Sequence, residues 1–351
     1  MLVVEQALAE FFPTLAREKY RYRATDQLLP PLTRFYEPYS DIFSPDTINR
    51  LRQEKAATDP YFDTKYCRLT RLINTVTELY LEQQLLPLTT EIRRVKQQLS
   101  ILWQDQQLPL RAIKPILATL PAASARRDLY RQYRQTTAIL ESLYRELITR
   151  AQSVINSLEY PSLQEFALPA PQAETLSQQA LTILSETESA YRLALAKYSN
   201  TYLALPIAQL HQADLYYWQA LTPFAHWLTT RPLFAVYQET LTGLGIKFGK
   251  LAGLQLQWLG GFNQARPSDH WSSTVCQPVQ IPQEIYLLAS APRTPMALTQ
   301  FFGSFGQALF YSFTAADLAP AFKYPPDNGL RLLFQQLFAN LVTNPLWLEQ
   351  M

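Results

Sequence analysis

The chain has 351 residues, of which 48% are hydrophobic, enough for one large core or two closely packed ones. Lysine and arginine number 31 against 29 acidic residues, and the charges are spread along the chain, so nucleic acid is excluded as a partner class. Two cysteines far apart, Cys67 and Cys276, form neither a disulfide framework nor a CxxC metal site and are expected to be free, buried thiols in a reducing compartment. The start MLVVEQALAEFFPTL lacks the basic opening and apolar core of a signal peptide. No apolar run reaches the length of about 18 residues that a membrane span needs, so a soluble, cytoplasmic protein with no membrane partner is expected.

All nine glycines lie at or after Gly243, while prolines punctuate the first 242 residues. A long segment without glycine and rich in Leu, Gln, Ala, Arg and Glu predicts packed helices. The first clear one starts at Ser44-Pro45-Asp46, a capping residue followed by proline in the first turn. A second covers roughly residues 65–103 with a break near Pro87. A third runs from about Ser124 to Leu158, with Leu129, Tyr133, Leu140, Leu147, Val154 and Ile155 at helical spacing. Helices are also expected over 172–202, 213–227 and 232–244, the last stopping at Gly245. From Lys247 to Ser290 the pattern shifts towards strands. In Val279–Ser290 the residues Val279, Ile281, Ile285, Leu287 and Ala289 alternate onto one face, with Pro282 marking an edge or a bulge. Helical pattern resumes at about Thr294, pauses over 317–329 and continues over 330–343.

The run STVCQPVQIPQEIYLL, then FFGSFGQALFYSF, then TAADLAPAFKYPPDNGLRLLFQQLFANLVTNPLWL resembles one block of the oligoendopeptidase and thimet-oligopeptidase-like zinc peptidases, in a bacterial branch. ETESAYRLAL, ADLYYWQAL, TLTGLGI and, more loosely, FYEPYSDIFS resemble that branch as well. The likeness is strong over about 240–348 and weaker upstream. It implies a mainly α fold, a helical bowl of the neurolysin-like oligopeptidase kind, with a small sheet beside the active-site helix. Residues 1–242 would form a helical domain and 243–351 the former catalytic region, packed as one continuous unit.

In that family two histidines one helical turn apart hold zinc, the glutamate after the first activates the metal-bound water, and a glutamate on the next helix completes the site. Matched residue by residue, the first histidine falls on Gly303, the general base on Ser304, the second histidine on Gln307 and the third ligand on Leu332. None of these can replace what the family uses: glycine and leucine carry no donor, serine is no carboxylate base, and one neutral amide does not hold zinc. No zinc, no other cofactor and no catalysis are therefore expected. The helix keeps Leu298, Phe301, Phe302, Phe305, Leu309 and Phe313 as core residues. The family continues well beyond the segment matching NPLWL, so an apolar surface is expected to be bare near the C-terminal helices, open to a partner or to oligomerisation.

The chain has three histidines. His211 and Asp214, three apart on a helix, read as a capping or surface pair; His226 reads as structural and His270 as solvated. A metallopeptidase with an unconventional site would have to be built from these three histidines. Gly243, Gly245 and Gly249 before Lys250 match no nucleotide fingerprint and read as helix termination. The arginines of ARRDLYRQYR, residues 125–134, read as a solvated helix face or, alternatively, a basic contact patch. The leading expectation is an inactive peptidase relative that binds a peptide or protein. An extended peptide would pair with the strand carrying Val279, Ile281, Glu284, Ile285, Tyr286 and Leu287. The alternative is one half of a split or assembled peptidase-like protein, which docks another chain in place of the missing helices.

Overall fold

The computed structural model describes residues 1–24, 32–61, 64–168, 170–221, 233–247, 251, 253–259, 274–290, 294–325 and 327–350. It is mainly helical with two small sheets. By contact the chain divides into two compact units, Met1–Gln83 with Ala220–Met351, and Gln84–Gln219. The change in composition at Gly243 falls inside the first unit.

The first unit opens with α1 (Leu2–Ala24), followed by the short α2 (Thr33–Tyr36), α3 (Pro45–Ala56) and the first part of α4 (Thr64–Gln98). α3 begins as its sequence dictates: Ser44 Oγ accepts the Thr47 N–H at 3.3 Å and Pro45 occupies the first turn, where no N–H is needed. α4 does not break at Pro87 but runs 35 residues through it. One face of α1 buries Val4, Leu8, Phe11 and Leu15. Phe11 meets the edges of Tyr36, Tyr39 and Phe43 at centroid distances of 5.0–5.4 Å, the geometry that ring quadrupoles favour. Glu5, 3% exposed, is held by two bonds from Arg68.

The same unit continues with α11 (Leu233–Gly243), β3 (Leu254–Trp258), β4 (Val275–Gln280), β5 (Glu284–Ala289), α12 (Pro295–Ser312), α13 (Pro320–Lys323), α14 (Asn328–Ala339) and α15 (Pro345–Gln350). α11 ends where expected: Gly245 has φ +72°, and Ile246 N–H bonds back to Leu241 O at 2.8 Å. The three strands lie in the order β3-β5-β4, with β3 parallel and β4 antiparallel to β5. The single strand expected over Val279–Ser290 is thus two strands. The chain reverses at residues 281–283, and a register shift between Pro278 and Gln280 accommodates the proline-bearing hairpin. Burial nevertheless follows the expected set: Val279, Ile281, Ile285, Leu287 and Ala289 are all buried.

The sheet has two unlike faces. Gln255, Gln277 and Tyr286 sit side by side by register, with Gln257 and Glu284 on the same face. α1 covers this polar face. Arg17 Nη2 donates to Glu284 Oε2 at 2.7 Å, Arg23 Nη1 to Gln277 Oε1 at 2.6 Å and the Tyr20 hydroxyl to Gln257 Oε1 at 2.8 Å, while the Tyr20 ring stacks on Tyr286 at 3.8 Å. The other face offers Leu254, Ile285, Leu287 and Ala289 to a core shared with Phe301, Phe302, Phe305 and Leu309 of α12.

The second unit carries the remainder of α4, a hairpin of β1 (Ser100–Trp103) and β2 (Gln106–Pro109), then α5 (Leu110–Thr119), α6 (Ala123–Thr137), α7 (Leu140–Ser157), α8 (Leu163–Ala167), α9 (Ala170–Tyr198) and α10 (Gln212–Ala220). The helix expected to reach residue 103 stops at Gln98. A tight turn with Gln104 at φ 50° and Asp105 at φ 62° then reverses the chain. The helix expected over 124–158 is two helices with a turn at Ala138 and Ile139.

A buried ion pair organises this unit. Arg126 and Asp214 are 1% and 0% exposed. Arg126 Nε and Nη2 donate to Asp214 Oδ1 at 2.9 and 2.7 Å, and Nη1 donates to the carbonyls of Leu120 and Pro121, both at 2.8 Å. Asp214 Oδ2 accepts the His211 N–H at 2.9 Å, and His211 Nδ1 accepts the Ala213 N–H at 3.1 Å. His211 and Asp214 are therefore the reciprocal cap of α10, as expected. The reading of the 125–134 arginines as a solvated face is corrected at Arg126, which is structural because each of its three guanidinium nitrogens meets a buried acceptor. Asp214→Ala strands the Arg126 charge in the core and is expected to cost about 3–5 kcal/mol, measured by denaturant unfolding against Asp128→Ala, whose exposed pair with Arg131 should cost under about 1 kcal/mol.

Candidate functional site

The candidate site is the junction of α12, α14 and the start of β4. α12 is capped by Thr294, whose hydroxyl accepts the Ala297 N–H at 3.2 Å, and Pro295 follows at the first turn. From there Leu298, Phe301, Phe302, Phe305 and Leu309 face the core, as expected, while Phe313 lies beyond the helix end and is 61% exposed. α14 is capped by Asp327, whose Oδ1 accepts the Leu330 N–H at 3.0 Å and whose Oδ2 takes 2.7 Å from Arg71 Nη2. The backbone bond from Leu330, with the nearby Arg71 charge, holds the Asp327 carboxyl below the usual carboxylate range.

α12 and α14 pack antiparallel and unusually close. A Cβ on Gly306 would stand 2.3 Å from the carbonyl oxygen of Phe334, and one on Gly303 would stand 3.3 Å from Gln335 Cγ and 3.5 Å from Ala339 Cβ. Aromatic rings seal the seam: Phe305 meets Phe338 edge-on at 5.6 Å and Phe302 meets Trp347 at 5.4 Å. Across the same seam Gln307 Nε2 donates to Gln335 Oε1 at 2.5 Å. Ser304 turns the other way, donating to the Thr274 carbonyl at the foot of β4 at 3.2 Å.

Of the four positions matched to the peptidase site, Gly303, Ser304 and Gln307 thus lie on α12 around the seam. Leu332 does not join them and is 44% exposed. The α14 residue that meets Gln307 and Gly303 is Gln335, about one turn further on. Register counting through Asp327-Asn328 could not find it, because the facing residue depends on how α14 is rotated about its axis.

The thiol of Cys276 packs against the same core, and burial pushes its pKa up. The neighbouring Tyr311 hydroxyl is raised by the same cause. Neither is set up as a nucleophile. Of the two thiols expected buried, Cys276 is half-buried and Cys67 is exposed. Among the described residues no three His, Cys, Asp or Glu side chains converge as a metal-binding group would require. His226, Trp227, Gly249, Lys250 and His270 lie outside the described residues. The strand positions named for peptide pairing divide as Val279 on β4, Ile281 in the turn, and Glu284, Ile285, Tyr286 and Leu287 on β5. β5 is the middle strand, paired by β3 and β4, so a further strand could add only beyond one of the two outer ones.

No helix among the described residues is long and apolar enough to cross a membrane. No family model matches the chain, and no curated protein or solved structure matches it significantly.

Two outcomes are expected. Gly306→Ala drives a methyl group into the α14 backbone and should lower stability by about 1–3 kcal/mol, whereas Gly303→Ala, facing a flexible glutamine, should cost clearly less; thermal or denaturant melts decide. In the folded protein a thiol reagent at pH 8 should titrate Cys67 rapidly and the half-buried Cys276 markedly more slowly, the two rates converging on unfolding.

Proposed function

We propose that this chain is a catalytically silent relative of the zinc oligopeptidases that acts by binding a peptide or protein. The observation that carries the reading is the seam between α12 and α14. Where the resemblance would place metal ligands and a general base, the chain presents Gly303, Ser304 and Gln307, and the helix opposite answers with Gln335. An amide paired with an amide is neutral and hydrogen-bonded. It neither binds a divalent cation tightly nor accepts a proton from water at neutral pH. The wall that would hold a substrate remains: a sheet with two outer strands beside a helix whose apolar face is packed.

A second reading draws on a specific feature. α14 and α15 turn Leu330, Leu333, Leu337 and Leu346 outward, at 53–71% exposure. A surface of this kind favours a protein partner docked along α14, in the manner of a two-chain assembly.

Metal analysis and peptide hydrolysis test the first reading together. Protein dialysed against micromolar zinc should retain far less than one equivalent and should leave a library of internally quenched peptides uncut. A tightly held equivalent of zinc that Gln307→Ala releases would overturn the reading. So would cleavage abolished by that substitution. Binding is tested with a library of extended peptides by fluorescence anisotropy: saturable binding supports a receptor for peptides, and its absence with every peptide leaves the docked-chain reading to stand instead.

A further inference from the structure

α4 carries a pair of carboxylates that no cation neutralises. Arg71, Thr75, Glu78 and Glu82 recur at helical spacing and share one face. Arg71 is engaged at the start of α14, where its Nη2 donates to Asp327 Oδ2 at 2.7 Å. Glu78 and Glu82 lie about two and three turns further along α4. Among the described residues neither forms a salt bridge. Like charges four residues apart on a helix repel each other. Both residues are exposed. Even so, desolvation, and after it the Glu82 charge, raises the Glu78 carboxyl from its ordinary value, with Arg71 opposing. A carboxylate that is at once exposed and desolvated lies in a hollow rather than on a convex surface.

A buried hydroxyl points into this hollow. Tyr36, the last residue of α2, is 0% exposed, and its ring is fixed edge-on by Phe11 and Phe43 at 5.0 and 6.2 Å. Its hydroxyl is directed at Glu82 but falls short of a hydrogen bond, and among the described residues it has no other partner. A buried polar group left in this state destabilises the fold unless a further group completes the arrangement.

We infer that Glu78 and Glu82 form a subsite for the basic side chain of a bound peptide, with Tyr36 positioning Glu82. The inference rests on the peptide-binding reading above and names the peptides it favours. A guanidinium suits the pair because its planar fork of N–H donors can bridge two carboxylates. It replaces a repulsion with two charge-assisted contacts. Glu82, drawn into place by the cation, keeps lone pairs free to accept the Tyr36 hydroxyl. A metal ion suits the pair less well, since among the described residues no third His, Cys, Asp or Glu joins them in a metal-binding group.

The test uses pairs of extended peptides that differ only in one arginine or citrulline, set at each position in turn and titrated into the full chain by fluorescence anisotropy. At one position the arginine peptide should bind on the order of fivefold tighter than its neutral twin. Glu78→Gln combined with Glu82→Gln should abolish that ratio without lowering the melting temperature, because it removes a repulsion. Tyr36→Phe should narrow the ratio, which a merely structural tyrosine would leave unmoved; an unchanged ratio overturns its positioning role. Peptides that bind with no pair separated overturn the inference alone. Failure of every peptide to bind overturns the peptide-binding reading and the inference with it. Calcium that raises the melting temperature of the native chain but not of the double variant would make the pair a metal site and overturn the inference as well.

Discussion

The first unit depends on how closely two helices can approach. α12 and α14 meet backbone to backbone because Gly306 has no Cβ, and a single methyl there would lie inside the radius of the Phe334 carbonyl oxygen. Everything around the seam follows from that distance. Phe305 and Phe338 reach each other, Phe302 reaches Trp347, and Trp347 in turn donates through its indole to Thr240 at 3.1 Å, tying α15 to α11. The apolar face of the sheet then closes on the other side of α12. A helix stretch as aromatic as Phe301–Tyr311 stays packed because neighbours surround nearly all of it.

That packing sets what the seam can hold chemically. A metal site needs space between its helices and side chains long enough to converge on an ion. Here Gly303 contributes no side chain, and the amides of Gln307 and Gln335 fill the gap with one neutral hydrogen bond. Polar groups near an apolar core are tolerated when they are paired, and both amides and the Ser304 hydroxyl are. Polarity is handled differently on the far face of the sheet, where Arg17, Tyr20 and Arg23 of α1 meet Glu284, Gln257 and Gln277 with charged or hydroxyl donors. The two faces share one set of strands because side chains alternate along each strand.

Much of this was legible in the sequence, and the rest for identifiable reasons was not. The caps at Ser44 and Gly245 and the buried face of α12 are local features, fixed by a few neighbouring residues. The hairpin at residues 100–109 was hidden because Gln104 and Asp105 adopt positive φ without the glycine that usually marks such a turn. The break between α6 and α7 carries no proline or glycine, so helical spacing runs through it unmarked. Arg126 looked solvated because its partner Asp214 is 88 residues away, and no local pattern records that pairing. At the site, composition showed which groups α12 lacks. It could not show that Gln335, rather than Leu332, faces them, since that is a property of helix rotation.

Under the proposed function, the substitutions at the seam form a consistent set. Removing only the histidines from a zinc site would leave carboxylates pressed against Phe305, Phe338 and their neighbours with no cation to compensate them. An uncompensated charge in such surroundings costs several kcal/mol. On that reading, neutral groups in place of the base and the facing acid avoid this cost, independent of any selection on activity. A seam with glycine, serine and two glutamines holds only such groups and gains direct helix contact in exchange. The same reasoning suits the position of Asp327, at the margin of the seam. Asp327 caps the exposed start of α14 and is answered there by Arg71, where water and a cation share its charge.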